Sequence, residues 1–229
     1  MCGRYSNTSM PGDVLQARLA ERLRVSVPES AAGFGRFNIA PTEEVAAVVQ
    51  DADGRRMTGL RWGLVPTWAK DGTPRFQMIN ARSETVLERP AYRGLVGSGA
   101  SRCLLVADGW YEWQGAEDPR VPRRPVHFSL ASGEPFCFAG LWTRTSATCT
   151  ILTCPANDLA RPIHDRMPVV LPDPGAWDAW LDPAVDGPAA TQLLAPLPSP
   201  ELAVRAANPV VNRAGHDAPD CLEPELTLL

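Results

Sequence analysis

Arg102-Cys103-Leu104-Leu105-Val106-Ala107-Asp108-Gly109-Trp110-Tyr111-Glu112-Trp113 is the stretch on which the fold turns. It reads as one buried strand that ends in a carboxylate, Glu112, held between aromatics. A strand this apolar needs partners, and short apolar runs supply them at Val45–Val49, Val126–Leu130, Phe136–Leu141 and Cys149–Thr153, separated by Gly, Pro and Asp. Helical spacing of Val14, Leu15, Leu19 and Leu23 predicts an amphipathic helix over Pro11–Leu23, and further helical segments are predicted around Asn157–Ala160, Trp177–Leu181 and Ala189–Leu194. No repeat period is visible. The order predicts an α+β fold: a single compact domain around a strongly curved, mainly antiparallel, barrel-like β-sheet with peripheral helices. One domain is expected over residues 1–229. Its chemistry-bearing motifs fall in 2–170, and a proline-punctuated, irregular closing segment occupies 171–229.

The 229 residues are 45% hydrophobic, enough for a sizeable core, and carry a net charge of −4. That charge argues against a globally basic surface, so any nucleic-acid contact would be a local groove. Lys70 is the single lysine. Arginine forms no imine under ordinary conditions, so a Schiff base would have to come from Lys70 or from a terminal amine. Six cysteines occur with no CxxC pair and no histidine at zinc-finger spacing, which argues against a zinc site. Cys103, Cys137, Cys149 and Cys154 lie in or beside apolar runs and read as small core hydrophobes. No metal or other cofactor is expected. With no charged-then-apolar leader and no apolar run near the ~18 residues of a membrane span, the expected location is the cytosol, without membrane association.

At the other end of the chain stands Met1-Cys2-Gly3-Arg4. Loss of Met1 would make Cys2 the amino terminus, with two nucleophiles on one residue. Its α-amine would titrate at about 7.7–8.0 and its thiol at about 8.5, each partly in its reactive form near neutrality. Two chemistries suit this pair. In acyl transfer the thiolate attacks a carbonyl while the amine acts as base; in aldehyde capture both add to one carbon.

Other polar clusters add candidates. Flanking indoles would desolvate Glu112 and raise its pKa, as a proton shuttle requires, with an exposed strand-end glutamate as the competing reading. Arg61-Trp62-Gly63-Leu64-Val65-Pro66-Thr67-Trp68-Ala69 suits a rigid loop on which a base could stack, although tryptophan also anchors cores. Asn80-Ala81-Arg82-Ser83-Glu84 offers an amide, a guanidinium and a hydroxyl, as a phosphate or sugar site would, or else a helix cap and a solvated turn. His164-Asp165-Arg166-Met167-Pro168 sets a histidine beside an acid and an arginine. His127 and His216 read as satisfied loop histidines.

Seven segments in order carry a resemblance: Met1-Cys2-Gly3-Arg4, Asn38-Ile39-Ala40-Pro41-Thr42, Trp62-Gly63-Leu64-Val65-Pro66, Asn80-Ala81-Arg82-Ser83-Glu84-Thr85, Gly109-Trp110-Tyr111-Glu112-Trp113, Phe138-Ala139-Gly140-Leu141-Trp142 and His164-Asp165-Arg166-Met167-Pro168. Together they resemble the SRAP family, the SOS response-associated peptidase-like proteins that process abasic sites in single-stranded DNA. The resemblance implies a covalent thiazolidine crosslink between Cys2 and the ring-opened aldehyde of an abasic deoxyribose, shielding the lesion during the DNA damage response. It implies catalytic roles for Cys2, Asn80, Glu112 and His164: Glu112 moving protons, Asn80 positioning the amine or sugar, and His164 assisting ring opening. Arg4, Arg82 and Arg166, with Ser83 and Thr153, would hold phosphates, and Pro41 and Trp68 would wedge and stack against bases. Arg161 is a further groove candidate. Thr67 departs from the aromatic that often precedes the tryptophan in related sequences, so one stacking contact is missing.

The implied partner is single-stranded DNA containing abasic sites, with replication-fork proteins as further candidates, a monomeric state, and association with the nucleoid during work on DNA. The peptidase label fits removal of Met1, by self-cleavage or by a cellular aminopeptidase. Two other readings stand beside this one. An N-terminal-nucleophile amidohydrolase also begins Cys-Gly after processing, and a non-covalent single-stranded DNA module would need only Trp62, Trp68 and the arginines.

Overall fold

The structure, a computed structural model, describes residues 2–9, 14–26, 33–52, 54–69, 78–115, 120, 122–213 and 215–224. Pro11, where the first helix was expected to begin, lies outside the described residues, as do Met1 and Lys70. The chain runs β1 (Tyr5–Asn7), α1 (Val14–Leu23), β2 (Arg36–Ile39), β3 (Glu44–Asp51), β4 (Gly54–Trp62), β5 (Asn80–Arg82), α2 (Arg93–Val96), β6 (Arg102–Ala107), β7 (Gly109–Gln114), β8 (Arg124–Leu130), β9 (Phe136–Thr143), β10 (Thr148–Pro155), β11 (Arg166–Pro168), β12 (Val170–Leu171), α3 (Pro174–Leu181), α4 (Gly187–Thr191) and β13 (Leu202–Ala206).

Two sheets form. The larger follows the path β11-β10-β4-β3-β6-β9-β12, and an extra β10–β9 pairing closes a ring through β4, β3 and β6. The smaller has the order β13-β8-β7-β1-β2, with antiparallel pairs throughout. In the larger sheet only the pairings of β10 with β4 and β5 are parallel. The expected α+β architecture around a curved, mainly antiparallel, barrel-like sheet is the one observed. Closure removes edges that would otherwise template pairing with another chain.

Arg102–Trp113 is two strands, not the single strand its composition suggests. β6 belongs to the large sheet and β7 to the small one. The break falls at Asp108, whose carboxylate accepts hydrogen bonds from Ser6 Oγ (2.6 Å), Thr8 N (2.6 Å) and Thr8 Oγ1 (2.5 Å). At the next residue only glycine fits, because a Cβ on Gly109 would lie 2.2 Å from the His127 ring. His127 itself is a buried strand residue rather than a loop histidine, its Nε2 standing 2.9 Å from Ser6 Oγ. The crossing from one sheet to the other turns Trp110 inward, where it stacks on Phe128 (4.9 Å, 8°) and meets Phe136 and Phe138 edge-on. Tyr5 continues the seam against Trp62 and Phe138. Each aromatic pair adds about 0.5–1.5 kcal/mol beyond its burial.

α3 closes the large sheet from outside. Asp173 caps it by accepting from Ala176 N (3.0 Å), and Trp180 donates through Nε1 to Cys103 O (2.9 Å). No helix forms around Asn157–Ala160. Residues there make turns, because Pro162 has no N–H to donate and the Asn157 side chain bonds Ala160 N and Leu197 O instead. The closing segment is more regular than expected, since β13 pairs with β8 over five residues.

Candidate active site

The small sheet delivers the terminal segment. Antiparallel pairing sets Tyr5 opposite Trp110, and Tyr111 N donates to Arg4 O (3.0 Å), so residues 2–4 run back alongside β7 toward Glu112. The large sheet delivers Asn80, whose strand β5 lies parallel to β10 with Asn80 opposite Ile151. Asn80 Nδ2 donates to Cys2 O at 2.8 Å and ties the two sheets together at this point. Its Oδ1 is buried without a hydrogen-bond partner, an acceptor still to be satisfied.

Cys2 is fully buried, and its Sγ lies 3.8 Å from Arg4 O. Burial, followed by the nearby Glu112 charge, pushes the thiol far above its ordinary range. The partial ionisation expected of an N-terminal cysteine is therefore suppressed, and the thiol is neutral at physiological pH.

Glu112 is 4% exposed, and its carboxyl is pushed up to about 7. Burial is the main cause; the ammonium of the chain's amino terminus works against it and Asp165 works with it. Desolvation does not come from indoles on both sides. Alternation along β7 puts Trp113 on the opposite face, in a cluster with Tyr111, Val211 and Leu222. A carboxyl poised near neutrality both takes and gives protons.

His164 precedes β11, and its Nδ1 accepts from Arg166 N at 2.9 Å. The neutral ring must then carry its proton on Nε2. Asp165 Oδ1 stands 3.0 Å from the same Nδ1, a contact that is attractive only when the ring is protonated. Asp165 is solvent-exposed and screened, whereas burial of the ring lowers its pKa, so the neutral form dominates. His164 thus presents an Nε2–H donor. Asn80 is hydrogen-bonded to Cys2, the Glu112 charge acts on the Cys2 thiol, and the charge of Asp165, the neighbour of His164 in the chain, acts on Glu112.

The expected DNA-contact residues divide into two groups. Arg82 is exposed at the end of β5, Trp68 is 67% exposed, and Pro41 and Ser83 are half-buried at turns. Arg161 is exposed beside Asp158. Arg4, Thr153 and Arg166 are engaged inside the protein. Arg4 Nη1 donates to Asn38 Oδ1 (2.9 Å) and Val211 O (2.8 Å). Arg166 is gripped by both oxygens of Glu84, and its Nη2 also reaches Thr153 O (2.7 Å) and Thr153 Oγ1 (3.2 Å). The pairing holds the Glu84 carboxyl down at about 2. The β5–β10–β11 register brings Arg82, Thr153 and Arg166 to one sheet end. Trp62, by contrast, is a core residue bonded through Nε1 to Ile79 O (2.8 Å), so it offers no stacking face.

Sequence reading assigned no role to Glu84 or Asn38, the partners that aim Arg166 and Arg4. Both stand inside quoted motifs, but their partners lie 82 and 34 residues away, and no local pattern signals such pairings.

The chain is similar to known proteins over most of its length. The abasic site processing protein YoqW of Bacillus subtilis is 34% identical over 231 residues, covering 97% of this chain and 99% of that protein. The abasic site processing protein YedK of Escherichia coli is 30% identical over 201 residues, covering 85% and 86%. A crystal structure of a Bacteroides thetaiotaomicron protein superposes with a TM-score of 0.82 over 98% of this chain and all of that one, at 20% identity, a likeness of fold. The family described as SOS response associated peptidase (SRAP) matches residues 1–214, which take in both sheets and every residue of the site. The chain therefore belongs to the SRAP family.

Proposed function

We propose that the protein processes abasic sites in single-stranded DNA by covalent capture, with Cys2 as the reacting residue once Met1 is removed. The observation that carries this reading is the buried Cys2 held through its carbonyl by Asn80 at 2.8 Å, and it is supported by the burial of Glu112, which pushes that carboxyl up to about 7. YoqW and YedK are both named abasic site processing proteins, which supports the substrate.

An abasic deoxyribose equilibrates between a closed ring and an open aldehyde. The Nε2–H of His164 donates to the ring oxygen and favours opening. The α-amine of Cys2 then attacks C1′; one water leaves and an imine remains. Glu112 supplies the proton that the departing oxygen needs. The Cys2 thiol adds across the C=N bond, sulfur to C1′ and its proton, relayed through Glu112, to nitrogen. The product is a five-membered thiazolidine of nitrogen, Cα, Cβ, sulfur and C1′. A neutral thiol with an adjacent carboxylate suits this last step, since proton and sulfur move in one site. Running the steps backward releases the DNA.

Arg82 and Trp68 supply the outer contacts, one to phosphate and one to a base face. Such contacts read no base edge, so base identity has little influence, and the binding weakens as salt rises. The test is denaturing electrophoresis of the protein with single-stranded DNA bearing one abasic site. Wild type is expected to give a heat-stable shifted band that is absent with Cys2→Ser, whose hydroxyl leaves at most a labile imine. A stable band with Cys2→Ser would transfer the chemistry elsewhere.

A further inference from the structure

His216, Asp220 and Cys221 bring one imidazole nitrogen, one carboxylate oxygen and one sulfur within 4.8 Å of one another. Nothing in the proposed DNA chemistry uses them. The spacing resembles no zinc-finger pattern, which is why the sequence argued against zinc. We propose that these three side chains form a divalent-metal site suited to zinc, with water completing a tetrahedron.

The donor set selects the ion. Calcium and magnesium demand oxygen ligands, whereas mixed nitrogen, sulfur and oxygen donors suit zinc and its neighbours. Zinc ligates sulfur at about 2.3 Å and nitrogen or oxygen at about 2.0–2.2 Å, so ligand atoms around it stand roughly 3.3–3.6 Å apart. His216 Nε2 and Asp220 Oδ1 now share a hydrogen bond of 2.7 Å. Spreading them by about 0.7 Å, a side-chain rotation, opens the required gap. His216 and Asp220 are partly exposed, while Cys221 lies beneath them with no exposure. An ion arriving from solvent would close over the sulfur, displacing the thiol proton to water.

The backbone that carries the ligands is already fixed. His216 O accepts from Asn38 Nδ2 (2.6 Å), and Cys221 O accepts from Asn208 N (3.2 Å). Between the ligands, the Asp217 carboxylate accepts from Phe37 N (2.6 Å) and Asn38 N (2.8 Å) and pairs with Arg36. Little chain entropy is left for the ion to overcome. The same network supports the active site: Asn38 and Val211 O hold Arg4, two residues beyond Cys2. The ion would therefore pin the closing segment behind the strand that delivers the nucleophile.

Titration of the reduced, full-length protein with cobalt(II) under anaerobic conditions tests the site, because a thiolate–cobalt bond gives a near-ultraviolet charge-transfer band that a His–Asp hydrogen bond cannot. Expected are one equivalent bound, the band retained in Cys2→Ser and lost in Cys221→Ser, and displacement by zinc. Asp220→Asn, on the solvent side and harmless to the core, should weaken cobalt binding about tenfold or more. Absence of the band in wild type, its survival in Cys221→Ser, or unchanged affinity in Asp220→Asn would each overturn the proposal.

Discussion

Replacing Glu112 with glutamine should raise the stability of the DNA-free protein at alkaline pH while abolishing its fast chemistry. The carboxyl titrates from an ordinary 4.5 in the unfolded chain to about 7 in the fold. A folded pKa above the unfolded one means that the native state holds the proton longer. Its stabilising effect is complete below 4.5 and disappears as pH rises through about 7. At about 1.36 kcal/mol per pH unit, the displacement amounts to about 3 kcal/mol. Glu112 is only 4% exposed, so solvent screening removes little of this. Glutamine keeps the shape and never ionises. Urea unfolding at pH 4 and pH 8 should therefore give near-equal stabilities for the two proteins at the lower pH and a variant more stable by about 3 kcal/mol at the higher. In a chain of this size that is roughly 6–12 °C in Tm. All other titrating groups are common to both proteins and cancel. Parallel stability–pH curves would refute the reasoning, since Glu112 would then not titrate near neutrality. The variant's crosslinking should be slow and lose its dependence on a group near pH 7.

Three further substitutions separate the roles of neighbouring residues. Trp68→Ala, at a 67% exposed position, should leave stability within about 0.5 kcal/mol of wild type. In a Cys2→Ser background it should weaken single-stranded DNA binding by about 1–3 kcal/mol in fluorescence anisotropy; unchanged affinity would remove Trp68 from the interface. Asn80→Ala breaks the 2.8 Å bond to Cys2 O and should cost about 1 kcal/mol, while slowing adduct formation at unchanged DNA affinity in a quenched time course. Glu84 is held at about 2, below its ordinary 4.5, so its pairing with Arg166 stabilises the protein above 4.5 and is lost as pH falls through about 2. Glu84→Gln should flatten this acid branch of the stability curve, by a modest amount because the carboxylate is 44% exposed.

Much of the fold was legible because its strands are apolar runs bounded by Gly, Pro and Asp, and a closed sheet buries them on regular faces. The runs at 45–49, 103–107, 126–130, 136–141 and 149–153 all lie within observed strands. β4 was not expected, because Gly54–Trp62 is rich in polar residues on a half-exposed face. β1 and β2 are only three and four residues long and owe their existence to long-range pairing. The division at Asp108 was hidden for a similar reason: its partners Ser6 and Thr8 lie about a hundred residues away. At the site, residue types announced chemistry and the fold supplied the rest. Glu112 was legible as a desolvated acid, but the face on which Trp113 sits was misread. Cys2 was legible as a candidate nucleophile, but its suppressed ionisation is a consequence of burial that no composition reveals.

The most direct test of covalent capture is intact-mass spectrometry of the processed protein mixed with single-stranded DNA carrying one abasic site, with and without borohydride. Imine and thiazolidine have the same mass, protein plus DNA less one water, and only the imine is reduced. The account predicts a starting mass lacking Met1, then an adduct that survives heating, gains no hydrogen from borohydride and maps by fragmentation to Cys2. A processed terminus that forms no adduct, or an adduct on Lys70, would contradict it.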